Sequence, residues 1–262
     1  MPRANRYYLP GYVWHLTHRC HRRQFLLKFA RDRRAWTAWL RMARLRFGLC
    51  VLDYTVTSNH VHLLVRDQGR GEIARSMQLI AGCSGQLYNR RKRRRGAFWE
   101  DRYHATAVQT GDHLARCLVY IDLNMVRAGV VDHPAAWENG GYHEIQTARR
   151  RYRIVDRVAL AEALELESVD VLAPLHREWI EAGLRASKLV RQPKWSECVA
   201  VGGRQFVAGV EADLGGRARY RQIEAVDESF VLREPSGVYA ADFRAGNRLL
   251  SPENELAGSR SG

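Results

Sequence analysis

The stretch TVTSNHVHLLV, residues 55–65, reads as a β-strand in which two histidines are separated by one valine. Along a strand alternate side chains share a face, so His60 and His62 project together while Val61, Leu63 and Val65 point into the core. Two imidazoles on one rigid strand face are able to hold a divalent cation. The spacing by itself fits equally well two solvent-facing histidines on a half-exposed strand, because His-x-His is a weak pattern.

The strand belongs to an alternating series. GYVWHLTHRC upstream reads as an opening strand. RDRRAWTAWLRMARLRFG follows as a helix with apolar positions at Trp36, Trp39, Leu40 and Leu45, ended by Gly48. LCVLDYTVTSNHVHLLV supplies one or two strands, GEIARSMQLIAGCSGQLYNRR a second helix with Ile73, Met77, Ile80 and Leu87 near one face, and AFWEDRYHATAV a further strand. The order β-α-β-β-α-β predicts an α+β, ferredoxin-like split βαβ fold, an antiparallel sheet with helices on one face. TGDHLARCLVYIDLNMVRAGVV predicts a third helix over 112–128, with Thr110 and Asp112 as capping candidates and Gly129 as its stop.

Beyond about residue 150 the character changes. VDRVALAEALELESVDVLAPLHREWIEAGLRA reads as two acidic amphipathic helices interrupted near Pro174. GRQFVAGVEADLG reads as another helix, and YRQIEAVDESFVLREPSGVYAADF as short strands with a Pro-Ser-Gly turn. The expected organisation is a catalytic domain over 1–150, an accessory α/β extension over 151–245 and a frayed tail over 246–262.

The net charge of +14 points to a polyanionic partner. Residues 1–150 carry 26 Lys and Arg against 11 Asp and Glu, whereas residues 151–262 carry 16 against 17, so all of the excess lies in the first half. Most of it is arginine, whose planar fork suits phosphate. The run of Arg90, Arg91, Lys92, Arg93, Arg94 and Arg95 is the densest phosphate-contact candidate, the alternative being a solvated loop. Trp99, Tyr103 and Tyr88 are aromatics that either stack bases or fill the core.

The five cysteines are scattered without a CxxC pair, the N-terminus has no apolar stretch of signal-peptide length, and no 18 apolar residues run together. A cytoplasmic protein without membrane insertion is the expectation. His15, His18, Cys20 and His21 are close enough in sequence to suggest zinc, yet alternation sends Cys20 and His21 to opposite sides. His104 lies just past Trp99 and Arg102, and its position alone does not decide whether it approaches the histidine pair.

On the third helix Tyr120 and Asn124 are four residues apart and share a face, with Arg116 and Arg127 within a turn of them. A helical tyrosine followed by an asparagine is ordinarily core plus a surface amide. The string YIDLNMVRAG, residues 120–129, together with SNHVHLLV, resembles the HUH single-tyrosine transposases, a family of insertion-sequence enzymes and REP-associated tyrosine transposases. Its hallmarks are histidine, hydrophobic residue, histidine on a strand, here His60-Val61-His62, and a helix of the form Tyr-Ile-x-x-Asn-x-Val-Arg-Ala-Gly, in which Met125 replaces the commoner proline. Between them GAFWEDRYHATAV is similar to the family's Trp-x-x-Arg-aromatic strand, here Trp99, Arg102 and Tyr103. The resemblance covers about residues 5–145.

The resemblance implies that His60, His62 and Asn124 bind Mg²⁺ or Mn²⁺ and that Tyr120 is the nucleophile of a DNA nicking and joining reaction. Relatives commonly place glutamine where Asn124 stands. The implied substrate is single-stranded DNA, with a preference for hairpin-forming palindromic repeats, and Arg102, Arg116 and Arg127 join the basic run as DNA-contact candidates. The long C-terminal extension favours the REP-associated branch. Two rival classes remain open: a non-cleaving hairpin-binding protein, and a metal hydrolase that activates water on His60 and His62. The sequence leaves monomer and homodimer undecided.

Overall fold

A computed structural model describes residues 9–185 and 190–234. The histidine strand lies inside a hairpin. Strand β1 (Val13–Arg19) is followed by helix α1 (Ala30–Phe47), strands β2 (Cys50–Val56) and β3 (His60–Arg66), helix α2 (Glu72–Arg91) and strand β4 (His104–Val108). Their spatial order is β2-β3-β1-β4, antiparallel throughout, which is the ferredoxin-like arrangement. LCVLDYTVTSNHVHLLV therefore forms two strands. The turn between them is held by Thr57, whose Oγ1 accepts the backbone N–H of Asn59 at 3.3 Å and of His60 at 3.1 Å.

Helices α1 and α2 pack side by side. In α1 the buried residues Trp36, Leu40 and Ala43 make one stripe. Leu45 does not join it and is 64% exposed, because nine residues after Trp36 a helix has turned half a revolution too far. Gly48 ends α1 in the left-handed conformation at φ 71°. In α2 Ile73, Met77 and Ile80 are buried as expected, whereas Leu87 is half-exposed beside an open cavity between the two helices.

The expected 112–128 helix is divided. Helix α3 (Asp112–Asp122) gives way at Leu123, with ψ 5°, to a single turn, α4 (Asn124–Arg127). The chain stays nearly helical across the joint, since the N–H groups of Leu123 and Arg127 reach the carbonyls of Val119 and Leu123 at 3.0 and 2.9 Å. Neither expected capping side chain caps α3. Gly111 occupies that place at φ 69°, a conformation that favours glycine, and the Thr110 hydroxyl donates to Glu165 Oε1 at 2.8 Å instead. Gly129 closes α4 at φ 65°, as read from the sequence.

After α5 (Tyr142–Gln146) and α6 (Arg157–Ala163) comes α7 (Leu172–Arg185). Pro174 does not interrupt a helix. It sits in the first turn of α7, where its missing N–H costs nothing, and the break lies earlier, between Ala163 and Leu172. Helix α8 (Lys194–Glu197), strand β5 (Ala200–Gly202), helix α9 (Arg204–Leu214) and strands β6 (Gln222–Val226) and β7 (Ser229–Arg233) complete the described chain. The hairpin of β6 and β7 turns at Asp227 and Glu228. The Pro-Ser-Gly turn and the expected frayed tail fall outside the described residues.

Strand β5 pairs in parallel with β4, so β5, β7 and β6 continue the first four strands into one seven-stranded sheet. Trp195, Val201 and Val231 share one hydrophobic core with Leu16, Leu63 and Ile121. Burial of this surface, at about 25 cal/mol per Å², is what ties the extension to the sheet. Among the described residues no helix is long and apolar enough to cross a membrane.

Candidate active site

Strand parity builds the site. In the register of the sheet His62 lies opposite Thr17, His15 opposite Thr106, and Thr17 opposite His104, so all five side chains share the face that also carries His60. Tyr120 comes onto this face from α3, its ring centroid 5.9 Å from that of His62 and 6.4 Å from that of His15. His60, His62, Tyr120, Asn124 and Arg127 line a single cavity of about 430 Å³. Arg102 and His104 line it too.

Each of the paired histidines has its Nδ1 tied to a neighbouring side chain. His60 Nδ1 lies 2.7 Å from Asn59 Oδ1 and 3.0 Å from Thr57 Oγ1. Because an amide oxygen only accepts, His60 donates from Nδ1 and keeps its lone pair on Nε2. His62 Nδ1 lies 2.9 Å from His15 Nε2, and His62 Nε2 lies 3.0 Å from Asn124 Nδ2, which donates to it. Burial holds both imidazoles neutral: desolvation pushes His60 down to about 4, with Arg19 and Arg127 adding to the effect, and takes His62 well below the ordinary value.

These atoms fit a divalent cation. Two neutral imidazoles with their lone pairs on Nε2 stand in one cavity, and the Asn124 amide beside them has an oxygen to offer. Among the described residues no three His, Cys, Asp or Glu side chains gather as a metal cluster, so the candidate ligand set is two imidazoles and an amide.

Tyr120 is buried, and desolvation raises its phenol above the usual value while Arg127 and Arg191 pull it back down. Arg127 stacks on the Tyr120 ring and donates to its carbonyl oxygen. It therefore does more than cap the helix end. Arg116 is turned away and pairs with Glu228 at 2.7 Å on the surface.

The basic run lies outside this cavity. Arg90 and Arg91 border the cavity between α1 and α2, where Arg91 pairs with Asp32, and Arg94 is tied to Asn89 Oδ1 and Ala97 O. Arg90, Lys92, Arg93 and Arg95 are exposed. Trp99 stacks on His18 at 4.0 Å and donates its indole N–H to Ala81 O, Tyr103 is buried, and Tyr88 packs edge-on against Phe98. The four residues that suggested zinc separate: His15 turns to His62, His18 to Trp99, Cys20 into the core, and His21 opens the short turn that follows β1.

Sequence reading missed the contribution of the extension. Arg191, Ser196 and Glu197 line the same cavity, and the Trp195 ring lies 6.3 Å from that of Tyr120. Nothing in PKWSEC carries a periodic or metal-binding pattern, so only the pairing of β5 with β4 brings it there. His15, which by sequence falls among the zinc candidates, lies on the histidine face by the parity of β1.

The family model for transposases of the IS200-like type matches residues 10–124. Among solved structures the chain is similar to a REP-associated tyrosine transposase bound to a REP hairpin, at 20% identity and a TM-score of 0.48, covering 59% of this chain and 90% of that one. It is also similar to a protein of Deinococcus radiodurans R1 described as a candidate transposase, at 16% identity and a TM-score of 0.33, covering 48% of this chain and 95% of that one. No curated protein matches the sequence. The matched region spans the first four strands and ends on Asn124, enclosing His60, His62 and Tyr120, and over this part the chain is similar to the IS200-like transposases.

Proposed function

We propose that the protein cuts and rejoins single-stranded DNA at hairpin-forming palindromic repeats, in a reaction that depends on Mg²⁺ or Mn²⁺ and passes through a 5′-phosphotyrosine at Tyr120. The observation that carries this reading is the placement of Tyr120 beside His62, under Arg127, in the cavity that also holds His60 and Asn124.

Tyr120 Oη forms a bond to the phosphorus as the bond from phosphorus to the 3′ oxygen breaks. The phenol gives up its proton to solvent and the departing oxygen takes one up, leaving a free 3′-OH and a 5′-phosphate on the tyrosine. The number of phosphate ester bonds is unchanged, so reversal joins DNA without ATP. HUH enzymes generally use a divalent metal, and here His60, His62 and Asn124 are the residues that would hold it. Bound there, it would supply polarisation of a nonbridging phosphate oxygen and offset charge that develops in the transition state. Arg127 favours the phenolate against the cost of burial.

Arg19, Arg102, Arg127 and Arg191 around the cavity supply positive charge for a phosphate backbone. A flexible single strand threads such a cavity more easily than a stacked duplex. In this reading residues 1–150 carry the chemistry, and the extension over 151–245 closes one wall of the cavity.

A strand-cleavage assay on a pool of single-stranded hairpin DNA tests the reading. Wild type with Mn²⁺ is expected to cut, and chelator, His60→Ala and Tyr120→Phe are each expected to abolish cutting. Cutting that survives Tyr120→Phe would establish water as the nucleophile and remove the tyrosine from the mechanism.

A further inference from the structure

The His62 ring is the end of a chain of hydrogen bonds that begins in the C-terminal extension. The carbonyl oxygen of Trp195 lies 2.7 Å from His15 Nδ1, His15 Nε2 lies 2.9 Å from His62 Nδ1, and His62 Nε2 faces the cavity at 3.0 Å from Asn124. His15 is fully buried, with both ring nitrogens engaged by uncharged partners, and its ring stacks nearly parallel to that of His62, with centroids 5.0 Å apart. No carboxylate takes part, so an imidazolium here would be an unpaired buried charge.

With one proton per ring only one assignment fits. A carbonyl oxygen accepts and never donates, so His15 carries its proton on Nδ1 and its lone pair on Nε2. His62 must then donate from Nδ1, which leaves its lone pair on Nε2, the nitrogen that opens on the cavity. Asn59 and Thr57 impose the same tautomer on His60 by a local route.

We infer that His15 is a positioning residue which, anchored by the Trp195 carbonyl, fixes the tautomer and ring orientation of His62 and so presents Nε2 as a ligand for a divalent cation. This rests on the reading of His62 as a metal ligand. It gives the C-terminal extension a defined part in the active site: its backbone sets the protonation pattern of a histidine on the other side of β1. A ligating histidine ordinarily passes its second ring proton to a carbonyl or carboxylate; here a second histidine stands between.

The test combines nitrogen NMR of the metal-free full-length protein with Mn²⁺ titration. In ¹⁵N-histidine-labelled wild type, with His15 and His62 assigned by the signals lost in His15→Gln and His62→Gln, both rings are expected to show the proton on Nδ1. His15→Leu keeps the volume and removes the acceptor; it is expected to release His62 into a tautomer mixture and weaken Mn²⁺ binding by about 10- to 100-fold. His15→Gln, whose amide oxygen is able to accept from His62 Nδ1, is expected to recover most of that affinity. A wild-type His62 or His15 protonated on Nε2 would overturn the inference. So would equal losses of affinity in the Leu and Gln variants with native spectra retained, because His15 would then act only by packing. If both rings show the Nδ1 proton in wild type but Mn²⁺ does not bind, the metal reading fails while the tautomer relay stands.

Discussion

The Arg127 guanidinium lies 4.0 Å from the centroid of the Tyr120 ring and donates from Nη2 to the Tyr120 carbonyl oxygen at 2.6 Å. A cation held on the ring favours the phenolate, and this opposes the desolvation that raises the phenol. Arg127→Leu is therefore expected to raise the Tyr120 ionisation further. A buried interaction of this kind is worth about 1 to 2 kcal/mol, which corresponds to a cleavage rate roughly 5- to 30-fold lower near pH 7. The pH–rate profile should move to higher pH, and an unchanged profile would remove Arg127 from nucleophile activation.

Metal binding should depend on the open face of the histidine pair. Mn²⁺ titration of His62→Ala is expected to show a loss larger than the about 10- to 100-fold that removal of an outer partner costs. Asn124→Ala should lose less, since two imidazoles remain, whereas Asn124→Asp should bind more tightly because a carboxylate is the better ligand for a hard cation. Equal affinity in wild type and Asn124→Ala would take Asn124 out of the ligand set.

Asp53 lies fully buried beneath α3 and close to α5, where its oxygen stands where a Cβ on Gly141 would be. Desolvation, then the nearby Asp122 carboxylate, raises its ionisation well above the usual value. Above that raised value the folded state holds a charge that the unfolded chain carries more easily, so the residue costs stability as pH rises from about 4. Asp53→Asn should then stabilise the fold at pH 8 by a few degrees in unfolding midpoint, on the order of 1 kcal/mol, and the gain should fade toward pH 4. A gain independent of pH would contradict this.

The exposed arginines of the basic run are expected to act on binding and not on chemistry. Replacing Arg90, Arg93 and Arg95 together with serine should make the salt dependence of single-strand binding shallower by about 2 in the log–log slope, at about 0.7 per lost phosphate contact. The cleavage rate at saturating DNA should hold, since none of the three lines the catalytic cavity.

The sheet of the first half and the gathering of its candidate site residues were legible because both rest on short-range periodicity. Two-residue alternation put His60 and His62 on one face, and a four-residue step put Asn124 beside Tyr120 even though the helix breaks at Leu123 between them. Alternation and helical spacing say nothing about which distant segment closes a sheet edge. The pairing of β5 with β4 involves two residue pairs from parts of the chain about ninety positions apart, and through it Arg191, Ser196 and Glu197 reach the cavity. Capping failed for a local reason: Gly111 adopts the entry conformation that neither Thr110 nor Asp112 was needed for. Leu45 is among the apolar positions spaced for a helix, and the angle from Trp36 puts it on the exposed side of α1.

The central claim is that Tyr120 becomes covalently attached to DNA. Wild type and Tyr120→Phe are incubated with single-stranded hairpin DNA and Mn²⁺, denatured and digested, and the peptides are sequenced by mass spectrometry. The account predicts a 5′-phosphonucleotide adduct on Tyr120 in the wild type, with a matching free 3′-OH fragment, and no adduct in the phenylalanine variant or after chelation. Cleaved DNA without any protein-linked fragment, or an adduct on another residue, would contradict it.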